Sequence, residues 1–241
     1  MSSRFHADLD ELMAVLERMC RWNEAAIGAA TAAVLDVDLE RANQALESCA
    51  EAWAGAERAE LAAAALLESV PATTGLECVQ TGLQISVTLS RMAGTCAVLA
   101  QFARTRYPVR VVPASLHQLV LGMGSSAVSM AAITVHVLGA GDFESAAELD
   151  DRDDVMDRAH RELLAYAADR SGAAAVAVDL LLLGRCYRRF AEHARQVGHH
   201  TLFMVTGLTA AEGLRASPRE TRLRRSAQLP LGWCYRVDRR R

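Results

Sequence analysis

The chain has 241 residues, a mass of 26.0 kDa and a formal net charge of −3, with 51% hydrophobic and 23% charged residues; that excludes a disulfide miniprotein and a chain disordered throughout. All 26 basic residues are arginine, and the missing lysine excludes a P-loop, a Schiff-base enzyme and a protein kinase in their usual forms. The net charge divides into −9 for residues 1–207 and +6 for residues 208–241, so the acidic body does not suit a nucleic-acid surface while a short tail is basic.

Prolines occur only at 71, 108, 113, 218 and 230, which leaves long stretches free to be helical. Phe5, Leu9, Leu12, Leu16, Met19, Asn23, Ala26 and Ala30 recur at alternating spacings of four and three, the broad apolar stripe of a bundle helix. Asp38 has the form of an N-cap for a second helix running to about Leu67, ahead of Ser69-Val70-Pro71. Thr74-Gly75-Leu76-Glu77 reads as a capping box opening a third helix that Tyr107-Pro108 stops.

Ser115-Leu116-His117-Gln118 repeats the capping-box form ahead of a fourth helix ending at Gly139-Ala140-Gly141. Residues Val111 to Gly141 carry no charge; their length would span a bilayer, but their polar load argues instead for a helix buried on more than one side. Asp142 then caps a fifth helix that Ser171-Gly172 ends. A sixth runs from about Val176 to Gly207 with Leu180, Leu183, Tyr187, Phe190, Ala194 and Val197 on its apolar stripe. Asp38-Leu39-Glu40-Arg41-Ala42 aligns with Asp142-Phe143-Glu144-Ser145-Ala146, and Ser90-Arg91-Met92-Ala93 with Arg188-Arg189-Phe190-Ala191, each pair at the same place in a three-helix unit. The expected fold is all-α: two tandem antiparallel three-helix bundles over 5–107 and 113–207, with a basic, flexible tail over 208–241.

Six cysteines contain no CxxC pair and read as reduced core thiols of a cytoplasmic protein. The N-terminus lacks the apolar region of a signal peptide. Asp157-Arg158-Ala159-His160 is a single near match to the paired Glu-x-x-His motifs of a di-iron site. In the acidic run Asp150, Asp151, Asp153, Asp154 and Asp157, the i, i+4, i+7 positions Asp150, Asp154 and Asp157 fall on one side, able to share a cation or be neutralised by Arg152, Arg158 and Arg161. No Gly-x-Ser-x-Gly elbow occurs. His199 and His200 point about 100° apart on a helix and read as interface or surface residues. Gly122-Met123-Gly124 lacks the strand of a nucleotide fingerprint and suits close helix approach.

Asp151-Arg152-Asp153-Asp154-Val155-Met156-Asp157, His160-Arg161-Glu162-Leu163-Leu164, Leu182-Leu183-Gly184-Arg185, Arg189-Phe190-Ala191-Glu192-His193-Ala194 and Phe203-Met204-Val205-Thr206-Gly207 together resemble the PhoU family of phosphate-transport regulators. Met19-Cys20, the Asp-capped second helix and Leu89-Ser90-Arg91-Met92 fit the same pattern, so the resemblance spans about residues 4–207. It implies a cytoplasmic, non-enzymatic, self-associating protein, expected as a homodimer. Such a protein would contact the ATPase subunit of the phosphate ABC transporter and a sensor histidine kinase, repressing the phosphate-starvation response. The membrane would be met only through these partners or the basic tail.

The resemblance also implies an acid-x-x-x-Asp motif in the third helix of each bundle, associated with multinuclear metal clusters. Here the first copy falls on Ser90 and Gly94 and the second on Arg188 and Glu192, which leaves Glu192, Asp150 and Asp154 as metal candidates and gives Glu192 an i, i+4 ion-pair partner in Arg188. No cofactor is expected unless this degraded motif still takes a divalent ion or an iron cluster. The alternatives are a metal-binding carboxylate bundle and a helical adaptor with an unrelated partner. The uncharged fourth helix is expected to place Gly124, Ser125, Val128 and Ala132 against a second protein surface, unless its own chain covers it.

Overall fold

The computed structural model describes residues 3–69, 73–140, 143–169, 174–207 and 212. Among these, six α-helices follow one another: α1 (Ser3–Asp36), α2 (Leu39–Ser69), α3 (Thr73–Arg106), α4 (His117–Ala140), α5 (Phe143–Asp169) and α6 (Ala174–Thr206), with a 3-10 turn at Ala114–Leu116. No strand occurs among the described residues. The expected stops and caps at 70–72, 141–142 and 170–173, and the tail bar Glu212, lie outside them.

Local signals explain two of the helix ends. Asp38 Oδ1 accepts the backbone N–H of Glu40 at 2.8 Å and of Arg41 at 3.1 Å, so it caps α2 as its position predicts. Gly207 has φ 64° and its N–H donates to Phe203 O at 2.7 Å, closing α6 with a left-handed residue. The box at Ser115 does not form. Leu116 N–H instead donates to Pro113 O in a 3-10 turn, and the Ser115 hydroxyl shares a 2.9 Å hydrogen bond with Tyr166 of α5; a tertiary partner has taken the oxygen that would have capped the helix.

The turn after α1 holds Val37 at φ 60°. A β-branched side chain is strained there, at a cost of about 1–2 kcal/mol. Replacing Val37 with Asn, which tolerates this conformation, is expected to stabilise the protein by about 1 kcal/mol in denaturant unfolding. A loss of stability would show that Val37 packing outweighs its backbone strain.

Each run of three helices packs together. Arg4 at the start of α1 donates to Glu68 at the end of α2 (3.1 Å), which makes those two antiparallel. Buried Asn23 donates from Nδ2 to Met19 O at 2.9 Å and to Leu89 O at 3.1 Å, tying α1 to α3. The two runs also meet along a seam on which α1 packs against α4 and α3 against α6. Gly28 faces Val128 and Thr31 faces Gly124, and Arg106 Nε donates to Asp179 Oδ1 at 3.2 Å, so both cross-seam pairs run antiparallel. At its centre the buried Tyr187 hydroxyl donates to Thr31 Oγ1 (3.0 Å), whose own proton goes to Ile27 O (2.8 Å). One apolar cluster therefore includes residues of all six helices.

The seam accounts for part of the charge-free fourth helix. Both α3 and α4 contain segments long and apolar enough to cross a membrane, with mean hydropathy 1.3 and 1.5. They are also helices at the seam, where Val120, Met123, Ala127, Met130, Ala131 and Thr134 are buried. Of the residues expected against a second protein, Gly124 and Val128 are used inside the chain by Thr31 and Gly28, whereas Ser125 and Ala132 are exposed. Burial takes up 44% of that apolar stretch, and an uncharged surface stripe that includes Ser125 and Ala132 remains.

Candidate functional site

The acidic run lies on α5 and faces α6. On α5, Asp150, Asp153 and Asp157 are spaced three and four apart; on α6, Arg188, Glu192, Arg195 and His199 follow the same rhythm. Each set therefore lies on one helical stripe, and antiparallel packing brings the two stripes together.

Arg188 Nε donates to Asp157 Oδ1 at 2.6 Å, and its Nη1 lies 3.0 Å from Glu192 Oε1. Arg195 Nε lies 3.0 Å from Asp153 Oδ2 and its Nη1 3.6 Å from Asp150 Oδ1. His199 Nε2 lies 3.0 Å from Asp150 Oδ1. The result is a ladder of alternating charge along the α5–α6 groove. The pair between Arg188 and Glu192 is the one their spacing predicts. The neutralising arginines for Asp150, Asp153 and Asp157 come from α6, while within α5 Arg152 pairs with Glu148 at 2.8 Å. Exposure of about 40% at Arg188 and Asp157 limits what each contact contributes.

The ladder is not uniform. The Arg188 guanidinium beside Asp157 holds its carboxyl below the usual range, and Arg188 is raised in turn. Burial pushes Asp153 the other way, more than Arg195 can offset. Arg195 reaches Asp153 at ion-pair distance without hydrogen-bond alignment, which leaves Asp153 Oδ1 and Arg195 Nε buried and unsatisfied.

The metal candidates are not gathered together. Asp150 is engaged by His199 and Arg195, Glu192 by Arg188, and Asp154 is exposed on a different side of α5 from Asp153. In place of the Asp150, Asp154, Asp157 grouping, the packed stripe is Asp150, Asp153 and Asp157: Asp153 and Asp154 flank the line through Asp150 and Asp157 on opposite sides, and α6 covers the Asp153 side. Ser90 sits under Trp53, whose indole N–H donates to Ser90 O at 3.3 Å, and Gly94 offers no ligand. Among the described residues, no three His, Cys, Asp or Glu side chains converge on a point that would hold an ion. This donor set does not fit a multinuclear metal cluster, since guanidinium groups occupy the carboxylates that would bridge the ions.

Beside the ladder a cavity of ≈ 550 Å³ opens, lined among others by His160, Leu181, Arg185, Arg188 and Glu192. His160 lies against Gly184 of α6. Burial pushes Cys186 up to about 11, and Cys20 and Cys78 up to about 12 and about 11, which keeps these three thiols protonated. The five described cysteines are buried and free, as their apolar spacing predicts.

Burial also lowers the pKa of His160, His193 and His200. Below the ordinary histidine value of about 6.5 the unfolded chain binds more protons than the folded one, so stability falls as pH drops through that value. Melting at pH 5.5 is expected to begin at a lower temperature than at pH 7.5; an unchanged Tm would show that these rings protonate without unfolding cost.

The comparisons with known proteins follow this architecture. A family model described as "PhoU domain" matches residues 120–201. "Phosphate-specific transport system accessory protein PhoU homolog 1" of Mycobacterium leprae is 33% identical over 210 residues, covering 86% of this chain and 95% of the relative. Its counterpart in Mycobacterium tuberculosis is 34% identical over 215 residues, covering 88% and 97%. The crystal structure of PhoU from Pseudomonas aeruginosa superposes with TM-score 0.74 at 20% identity, covering 85% of this chain and 100% of the other. A Streptococcus pneumoniae structure does so with the same TM-score and identity over 85% and 98%.

Proposed function

Because the chain belongs to the PhoU family, we propose that it is an accessory protein of phosphate transport that works by contact with other proteins and catalyses no reaction. Its partners in this reading are the ATPase subunit of a phosphate ABC transporter and a sensor histidine kinase. It acts in the cytoplasm as a homodimer, and its effect is repression of the phosphate-starvation response. The observation that carries this reading is the relation to the mycobacterial accessory proteins, which extends over 95% and 97% of their lengths and so includes both three-helix runs. The ladder of Arg188, Asp157, Arg195 and Asp150 supports a role that does not depend on metal.

Affinity capture from phosphate-replete cells, with the full chain as bait, tests the partners directly. Recovery of the transporter ATPase and a histidine kinase is the expected result. Recovery of neither, together with an unchanged phosphate-starvation reporter in a deletion strain, would remove the regulatory reading. Elemental analysis of protein purified without chelators is expected to find no stoichiometric iron, zinc or magnesium; a multinuclear count would return the carboxylate-bundle alternative.

A further inference from the structure

Farther round α6 from the acidic ladder, α3 and α6 leave a second cavity, of ≈ 350 Å³, which shares Arg185 and Arg189 with the first cavity, where Glu192 also lies. Arg91 and Gly94 of α3 and Arg185, Arg189 and His193 of α6 line it, and no carboxylate does. Among the described residues Arg91, Arg185 and Arg189 form no ion pair, although nearby Arg188 and Arg195 each hold acids. Arg185 and Arg189 are an i, i+4 pair of like charge, which is unfavourable on a helix. Arg91 adds a third positive charge from the opposite wall. Guanidinium groups do not deprotonate, and all three are exposed, so water and mobile counter-ions screen their repulsion until a multivalent anion takes that place.

The cavity selects for size and charge. At roughly 30 Å³ per water it holds about ten water volumes, more than a monatomic counter-ion fills, and it lies at the small end of ligand sites. Arg185 and Arg189 stand about 6 Å apart along the helix axis, so one occupant can engage both forks while Arg91 closes on it from α3. Planar guanidinium forks match phosphoryl oxygens with two parallel hydrogen bonds each. A singly charged carboxylate would leave most of the positive charge uncompensated.

We propose that this cleft between α3 and α6 binds a compact polyanion built on linked phosphoryl groups, the phosphoanhydride unit found in inorganic pyrophosphate and in nucleoside di- and triphosphates. Arg91, Arg185 and Arg189 hold the anion. The small floor at Gly94, where an added Cβ would meet nothing within 4 Å, lets it approach α3 closely. His193, which is 7% exposed, forms part of the cleft wall. The site is independent of transporter or kinase contacts and stands whether or not the regulatory reading does.

Titration calorimetry of the full chain in chelator, with pyrophosphate, ATP and orthophosphate as separate probes, tests it. Pyrophosphate or ATP is expected to bind one to one and orthophosphate at least tenfold more weakly. Tighter binding of ATP than of pyrophosphate would assign a nucleotide, and equal binding an inorganic condensed phosphate. The double variant Arg185→Gln/Arg189→Gln should lose at least tenfold in affinity, and so should Gly94→Glu, which adds a carboxylate where the backbone leaves room. Arg18→Gln/Arg21→Gln removes the same charge elsewhere and should leave affinity unchanged. The proposal is overturned if neither probe binds, if the cleft variants bind like wild type, if the control loses as much as they do, or if only phosphatidylglycerol vesicles bind.

Discussion

Gly124→Ala is expected to lower the unfolding free energy by about 2 kcal/mol even though alanine is the better helix former. The added methyl falls on the Cγ2 and Oγ1 of Thr31, across the α1–α4 seam. Thr31 cannot turn aside without loss: its hydroxyl donates to Ile27 O and accepts from the buried Tyr187. Either the helices part or that chain of hydrogen bonds breaks, and a buried tyrosine hydroxyl left unpaired costs about 1–3 kcal/mol. Two companions separate this cause from a helix-propensity effect. Gly122→Ala, where an added Cβ meets open space, should stabilise by roughly 0.5–1 kcal/mol. Thr31→Ser, which keeps the hydroxyl and removes Cγ2, should recover part of the loss when combined with Gly124→Ala. Equal effects at 122 and 124 in denaturant unfolding would refute the steric account.

Arg188→Glu should convert the α5–α6 ladder into a site that depends on a divalent cation. The substitution removes the group that holds Asp157 at 2.6 Å and Glu192 at 3.0 Å, and sets a new carboxylate among Asp153, Asp157 and Glu192, with Arg195 beside Asp153 and Arg161 near Asp157 as the remaining cations. The network is about 40% exposed at Arg188, so the expected cost in chelator is about 1–2 kcal/mol, between a surface pair and a buried one. Millimolar Mn²⁺ or Zn²⁺ should raise the Tm of this variant and leave wild type unmoved. The pH response should change as well. In wild type Asp157 is depressed by Arg188, so its contribution is present above the unfolded carboxylate value of about 3.9 and is lost as pH falls through the lower folded value. In Arg188→Glu that contribution disappears, and mild acid should relieve the crowded carboxylates. Metal-induced stabilisation of equal size in both proteins would contradict this reading.

The helices were legible because their apolar stripes and end signals are local: Phe5 through Ala30 mark one face of α1, Asp38 caps α2, and Gly207 closes α6. The Arg188–Glu192 pair was legible for the same reason, four residues on one helix. What escaped depends on partners distant in sequence. Ser115 looks like a cap until Tyr166, 51 residues away, takes its hydroxyl. Asp153 and Asp154 cannot be ranked until α6 shows which side of α5 it covers. The cleft at Arg91, Arg185 and Arg189 joins two helices whose facing residues are some ninety positions apart, and the segments that carry the family resemblance do not say that these arginines meet.

The single core that passes through the α1–α4 and α3–α6 seam makes the two halves one cooperative unit. Neither half can open without exposing the apolar face it shares with the other, so heating should produce one calorimetric transition in place of two. A partner that grips only one half therefore draws on the resistance of both, and the free energy of its docking is felt at the far end of the molecule.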